Sequence, residues 1–303
     1  MQEFNREDYK QYLKPDFVAK LGNLELIARL VVEGFITGLH KSPYHGFSVE
    51  FAEHRQYMPG DEPKHIDWKI YGRTDRFFIK QFEEETNLKA YIILDASRSM
   101  AFSSSKRISK LEYAAYVSAA LAYLMVQQRD AVGLTVYDEK LRIYMPPHAT
   151  KAYLKEILYQ LGKTQAEGKT GTASTLHLIA ERIKRRGLVI ILSDLFDNAK
   201  DVVTALKHFR HKKNEVIVMQ ILDPIEKSFA FGGDAIFRDM ETKEEITTQP
   251  YHLQKAYQEE MRKFLEYYKK ECRENNIDYV LLDTSVPFDV ALFQYLSKRQ
   301  KIG

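Results

Sequence analysis

Three oxygen-bearing side chains stand at alternate positions in Asp95-Ala-Ser97-Arg-Ser99, directly after the apolar run Ala90-Tyr-Ile-Ile-Leu94. An extended backbone sends residues i, i+2 and i+4 to one side, so a carboxylate and two hydroxyls converge on one point just past a strand's carboxyl end. Hard oxygen donors of this kind suit Mg²⁺, which prefers octahedral geometry and keeps several of its waters. The competing structural reading is that Ser97 and Ser99 cap the following helix while Asp95 makes an ordinary turn. What the rest of the chain brings to the same place decides between them.

The elements that must position this segment are legible as a change of period along the chain. Strand-like runs at 89–94, 131–137, 188–193, 215–222 and 278–283 alternate with helical patterns at about 108–129, 151–161, 174–186, 200–211, 250–276 and 288–300. Such alternation predicts βαβ units, and near-continuous Leu188-Val-Ile-Ile-Leu192 and Val216-Ile-Val-Met219 fit parallel strands covered on both faces. The expected fold is α/β, a doubly wound, mostly parallel sheet. Asp138-Glu139-Lys140 reads as a hairpin turn, which makes one edge strand antiparallel, and a second hairpin is expected across Ile236 to Ile246. Ahead of this domain (86–303), residues 1–85 read as a helix over 17–38 followed by a small β-rich block from Gly46 to Phe82, packed on the main domain. The helix near 250–276 aligns Leu253, Tyr257, Met261, Phe264, Tyr268 and Cys272 on one face, so the single cysteine reads as a core thiol.

In an open α/β sheet, ligands gather outside the carboxyl ends of the strands. Further donors are therefore expected in later loops, and Gly168-Lys-Thr170-Gly-Thr172 and the strand-ending Ser193-Asp194 each supply oxygens there. Gly168-Lys169-Thr170 is not a nucleotide-binding P-loop: the first glycine of that motif would fall at Lys163, and the segment before it has helical spacing.

Composition narrows the functional classes. The 303 residues carry 45 basic and 42 acidic side chains, a net charge of +3 that gives no global field for nucleic acid or an anionic membrane. The basic groups 182–186 and 207–213 fall at helix ends, where cations complement the dipole, and Phe209 is the only aromatic interleaved with them, too few for a single-strand binder. The longest apolar stretch, Ala114 to Val126, is too short to span a bilayer. One cysteine and a charged, leaderless start point to a reducing, cytoplasmic setting.

Asp-x-Ser-x-Ser, a loop threonine and a strand-ending aspartate, in that order, resemble the metal-ion-dependent adhesion site of von Willebrand factor A domains. The resemblance implies that Ser97, Ser99 and Thr170 bind a divalent cation directly, with Asp95 and Asp194 acting through water and a partner's acidic side chain filling the open position. Thr170 is preferred to Thr172 because the family's threonine lies six residues before an apolar helix residue, here Leu176, and Thr172 stays open as the alternative.

Residues 38–85 are dense in features that packing does not require, among them Arg55-x-Tyr57-x-Pro59-Gly60-Asp61, Ile66-Asp67-Trp68 and Arg73. With the metal-site segment, Ser193-Asp194-Leu-Phe-Asp197 and Leu282-Asp-Thr284, they resemble the bacterial domain of unknown function 58 family. That resemblance implies a von Willebrand A-like domain and partnership with a MoxR-type AAA+ ATPase in a chaperone or assembly role. Arg55, Asp61, Asp67 and Arg73 form either a buried ion-pair network or, with Trp68, a partner-docking surface. The expected function is a non-enzymatic, metal-dependent interaction module. The alternative, a Mg²⁺-dependent hydrolase or phosphatase with Asp95 as nucleophile, lacks the second acid two residues on, because that position is Ser97.

Overall fold

The computed structural model describes residues 23–40, 54–57, 68–80, 88–104, 108–231, 235–238, 245–248, 250–293 and 295. In chain order the amino-terminal elements are α1 (Leu24–His40), β1 (His54–Gln56), α2 (Trp68–Thr74) and β2 (Phe78–Lys80). Then come β3 (Lys89–Asp95), a 3-10 turn (Arg98–Ala101), α3 (Lys110–Gln127), β4 (Ala131–Tyr137), β5 (Leu141–His148), α4 (Lys151–Lys163), α5 (Thr172–Arg182) and β6 (Leu188–Ser193). The remainder is α6 (Ala199–His211), β7 (Glu215–Leu222), α7 (Pro224–Ser228), β8 (Ala235–Arg238), β9 (Glu245–Thr248), α8 (Pro250–Glu274) and β10 (Asp278–Asp283), with residues 289–293 helical beyond it.

Six strands form the main sheet in the order β10-β7-β6-β3-β4-β5. All neighbours run parallel except β5, which returns antiparallel along β4 through the expected hairpin. The two-residue side-chain period of each buried strand divides its residues between two helical layers. Ala90, Ile92 and Leu94 face a cluster with α1, α3 and α4, whereas Tyr91 and Ile93 face α5, α6 and α8. Leu188, Ile190 and Leu192 of β6 join the first cluster, and Val189 and Ile191 the second. Burial on both faces is why these strands read as continuous apolar runs.

α1 runs from Leu24 to His40, residues 17–22 of the expected helix lying outside the described residues, and it packs Ile27, Ala28, Val31 and Val32 into the α3 side of the core. Of the expected β-rich block, the described residues show β1 and β2 paired antiparallel with the helix α2 between them in sequence. Seven residues, Gly72 among them, are too few and too poor in helix formers for a 3.6-residue period to register. The second hairpin is present as the antiparallel pair β8–β9. Cys272 is buried among Ile183, Phe209 and Tyr268 in the cluster beneath α8. No helix among the described residues is long and apolar enough to cross a membrane.

A candidate metal centre at the carboxyl edge of the sheet

β3 ends at Asp95, between β4, where Tyr137 is its register partner, and β6, where Leu192 pairs with Leu94. Ser193 and Asp194 therefore leave the sheet beside Asp95. The Asp95 side chain is wholly buried. Its Oδ1 accepts from the Ser97 amide at 2.8 Å, and its Oδ2 accepts from the Ser193 hydroxyl at 2.6 Å, with Tyr137 OH at 3.4 Å and Thr172 Oγ1 at 3.5 Å. Burial, followed by the neighbouring Asp194 charge, pushes Asp95 up to about 6. Burial likewise holds the Tyr137 phenol well above its ordinary value, so it remains a donor at neutral pH.

The capping reading of the serines fails on geometry. Ser97 precedes the 3-10 turn but makes no side-chain capping bond, and its Oγ lies 3.1 Å from that of Ser99. The long helix α3 is capped instead by Ser109, whose hydroxyl accepts from the Glu112 amide while the Glu112 carboxylate accepts from the Ser109 amide. Two oxygens on adjacent corners of an octahedron with Mg²⁺-type bonds of about 2.1 Å stand about 3.0 Å apart. The two serine hydroxyls, hydrogen-bonded to each other at 3.1 Å, stand at a spacing compatible with that edge, and neutral hydroxyls backed by carboxylates are donors such a cation takes.

The threonine loop is stitched onto the same place. Glu167 N donates to Ala96 O at 2.9 Å, and Arg98 N donates to Gly168 O at 3.3 Å. Gly168 has φ +72°, and a Cβ there would stand 2.7 Å from Asp138 Oδ2, so both conformation and space require glycine. Thr170 is half-buried on this loop, and α5 is capped by Gly171. Thr172, which opens α5 with its side chain buried, reaches Asp95.

Asp194 has a partner that the sequence did not announce. Lys110, at the start of α3, is wholly buried, and its ammonium lies 2.7 Å from Asp194 Oδ2 and 2.6 Å from Glu226 Oε1. The Phe196 and Phe102 rings flank it, with centroids at 4.8 and 5.9 Å. Burial works against the charged lysine, but the two carboxylates outweigh it and raise Lys110 above its ordinary value. Glu226 also accepts from the Asp223 amide, and Asp223 binds the amide and hydroxyl of Ser104. A polar chain thus joins the ends of β6 and β7 to the loop after Ser99. Asp194 Oδ1 accepts from Phe196 N at 3.1 Å, and Gln220 donates to its carbonyl at 2.8 Å. The next residue, Leu195, holds φ +59°, a strained left-handed conformation fixed by Ser193 Oγ on its amide and Tyr268 OH on its carbonyl.

Of the amino-terminal candidates, Trp68 and Arg73 fall among the described residues. Trp68 is 63% exposed, edge-on to Tyr71, which stacks on Phe77. Arg73 is exposed too, so it does not sit in a buried ion-pair network. Asp61 and Asp67, and the side chain of Arg55, lie outside the described residues.

A family model described as "Protein of unknown function DUF58" matches residues 53–266. "Uncharacterized protein Rv1480" of Mycobacterium tuberculosis is 24% identical over 232 residues, spanning 75% of this chain and 72% of the relative. Among solved structures, BatB from Bacteroides thetaiotaomicron aligns with a TM-score of 0.44 at 21% identity, covering 70% of this chain and 98% of its own. The SpRpn10 VWA domain aligns with a TM-score of 0.43 at 11% identity, covering 68% and 95%. The six-strand sheet with its one antiparallel edge, carrying Asp-x-Ser-x-Ser at the end of β3, is von Willebrand A-like, and the chain belongs to the DUF58 family.

Proposed function

We propose that this chain is a non-enzymatic protein-interaction module whose binding depends on a divalent cation, Mg²⁺ or a similar ion. The observation that carries the reading is the Ser97–Ser99 hydroxyl pair, 3.1 Å apart beside the buried carboxylates Asp95 and Asp194. Ser97, Ser99 and a threonine of the 170–172 loop would hold the cation, with Asp95 and Asp194 behind them. A cation held mainly by neutral hydroxyls keeps its appetite for an anionic oxygen, so an Asp or Glu of a client can complete the shell.

Catalysis by Asp95 is disfavoured. It is buried, both its oxygens already accept hydrogen bonds, and the position for a general acid is occupied by Ser97. The partner expected from the resemblance is a MoxR-type AAA+ ATPase, with the pair acting in protein assembly or as a chaperone.

The test is calorimetric titration of the purified chain with a purified MoxR-type ATPase from the same organism, in Mg²⁺ and in EDTA. The proposal expects a complex that chelation and Asp95→Ala both weaken at least tenfold. Equal affinity in all three conditions would remove the metal from the interaction, and Mg²⁺-dependent phosphatase turnover lost in Asp95→Asn would promote the hydrolase reading.

A further inference from the structure

The von Willebrand-type ligand set leaves Lys110 unexplained. A lysine is rarely buried completely, and this one lies on the carboxylate that stands behind the cation position, not on a distant structural pair. Its second partner, Glu226, reaches it from α7, so the ammonium is shared between the metal-site strand β6 and the segment that follows β7. The aromatic rings of Phe102 and Phe196 close around it and leave it little room to withdraw.

We infer that Lys110 is a resident counter-ion of the site: it neutralises Asp194 in advance and thereby sets the divalent-cation affinity low, so that a firm complex requires the charge of a partner's carboxylate. The inference rests on the metal-site reading above. Two positive centres served by one carboxylate repel each other in a buried, poorly screened environment, and each lowers the other's occupancy. Glu226 moderates this competition by drawing part of the ammonium's charge away from Asp194. The two residues therefore act on cation affinity with opposite sign. Removal of the lysine charge strengthens the site, and removal of the glutamate charge weakens it. A lysine serving only as a packing or folding element would not divide the variants in that way.

The experiment is Mn²⁺ binding, followed by electron paramagnetic resonance of the free ion and by calorimetry, on the full chain without partner. The proteins are wild type, Lys110→Met, Glu226→Gln, Lys110→Arg and a Ser97→Ala/Ser99→Ala control, each checked for native circular dichroism. Lys110→Met is expected to bind Mn²⁺ at least tenfold more tightly than wild type, Glu226→Gln several-fold more weakly, and Lys110→Arg no more tightly. Should Lys110→Met not fold, the Glu226→Gln result decides: unchanged or tighter binding overturns the inference. Wild-type binding that depends on the serines, with Lys110→Met binding no better, overturns the role of Lys110 and leaves the metal site standing. Absence of serine-dependent binding in every folded protein overturns the metal site and this inference together.

Discussion

Replacing Asp95 by asparagine should make the cation-free protein more stable while destroying its binding function. In the folded chain the carboxylate is wholly buried and sits beside Asp194, so its charge is penalised and its pKa rises from 3.8 to about 6. At 1.36 kcal/mol per pKa unit, that rise corresponds to about 3 kcal/mol of destabilisation when Asp95 is ionised. The sign follows from linkage. Between the unfolded value and about 6 the folded state binds the extra proton, so stability falls as pH rises through this window. Above about 6 the full penalty is present, and below 3.8 both states are protonated and the difference vanishes. Asp95→Asn removes the ionisation and keeps an acceptor for the Ser97 amide, while its amide nitrogen replaces the oxygen that accepts from Ser193, whose hydroxyl must turn to accept instead. Urea unfolding in EDTA at pH 7.5 should therefore show the variant more stable by about 2 to 3 kcal/mol, with the gap closing by pH 4. Glu226, whose pKa burial also raises, is common to both proteins and cancels in the comparison. Mg²⁺ should raise the midpoint of wild type only. A variant less stable than wild type at pH 7.5, or a gap that does not change with pH, refutes the reasoning.

Changing Ser97 and Ser99 together to alanine should leave circular dichroism unchanged and abolish the Mg²⁺-dependent rise in melting temperature seen in wild type. Gly168→Ala forces a left-handed residue and a Cβ 2.7 Å from Asp138 Oδ2, so chemical unfolding should report a loss of about 1 to 3 kcal/mol. Phe209→Ala empties a fully buried site under α6 and should cost about 3 to 5 kcal/mol by the same measurement. Burial pushes the Cys272 thiol up to about 12, so a disulfide reagent at pH 8 should leave it intact in the native protein and modify it in urea.

The sheet was readable because β3, β6 and β7 are buried on both faces, which turns them into apolar runs bounded by helices whose stripes show a 3.6-residue period. Their carboxyl ends followed from that order, and with them the neighbourhood of Asp95, Ser97, Ser99 and Asp194. α2 escaped notice because seven residues with a glycine carry no period. Lys110 escaped for a different reason. It sits in Ser109-Lys-Leu-Glu112, whose capping box reads as a solvated helix start, and burial of its charge depends on Asp194 and Glu226, 84 and 116 residues away in sequence. Glu226 was hidden likewise, as an acid in the first turn of a five-residue helix. Local pattern reveals which strands end together, whereas long-range charge pairing depends on side-chain placement that no single stretch encodes. The same limit applies to the threonine: the resemblance favoured Thr170 with Thr172 open beside it, and Thr172 Oγ1 lies 3.5 Å from Asp95 Oδ2.

The most direct test of the metal centre is anomalous diffraction from a crystal of the chain grown or soaked in Mn²⁺, in wild type and in Ser97→Ala/Ser99→Ala. The account predicts one strong peak within about 2.1 to 2.3 Å of both serine hydroxyls in wild type and none there in the double variant. A wild-type crystal soaked at a Mn²⁺ concentration that saturates the chain in solution, with no peak at the end of β3 or with a peak unaffected by loss of the two hydroxyls, would contradict it.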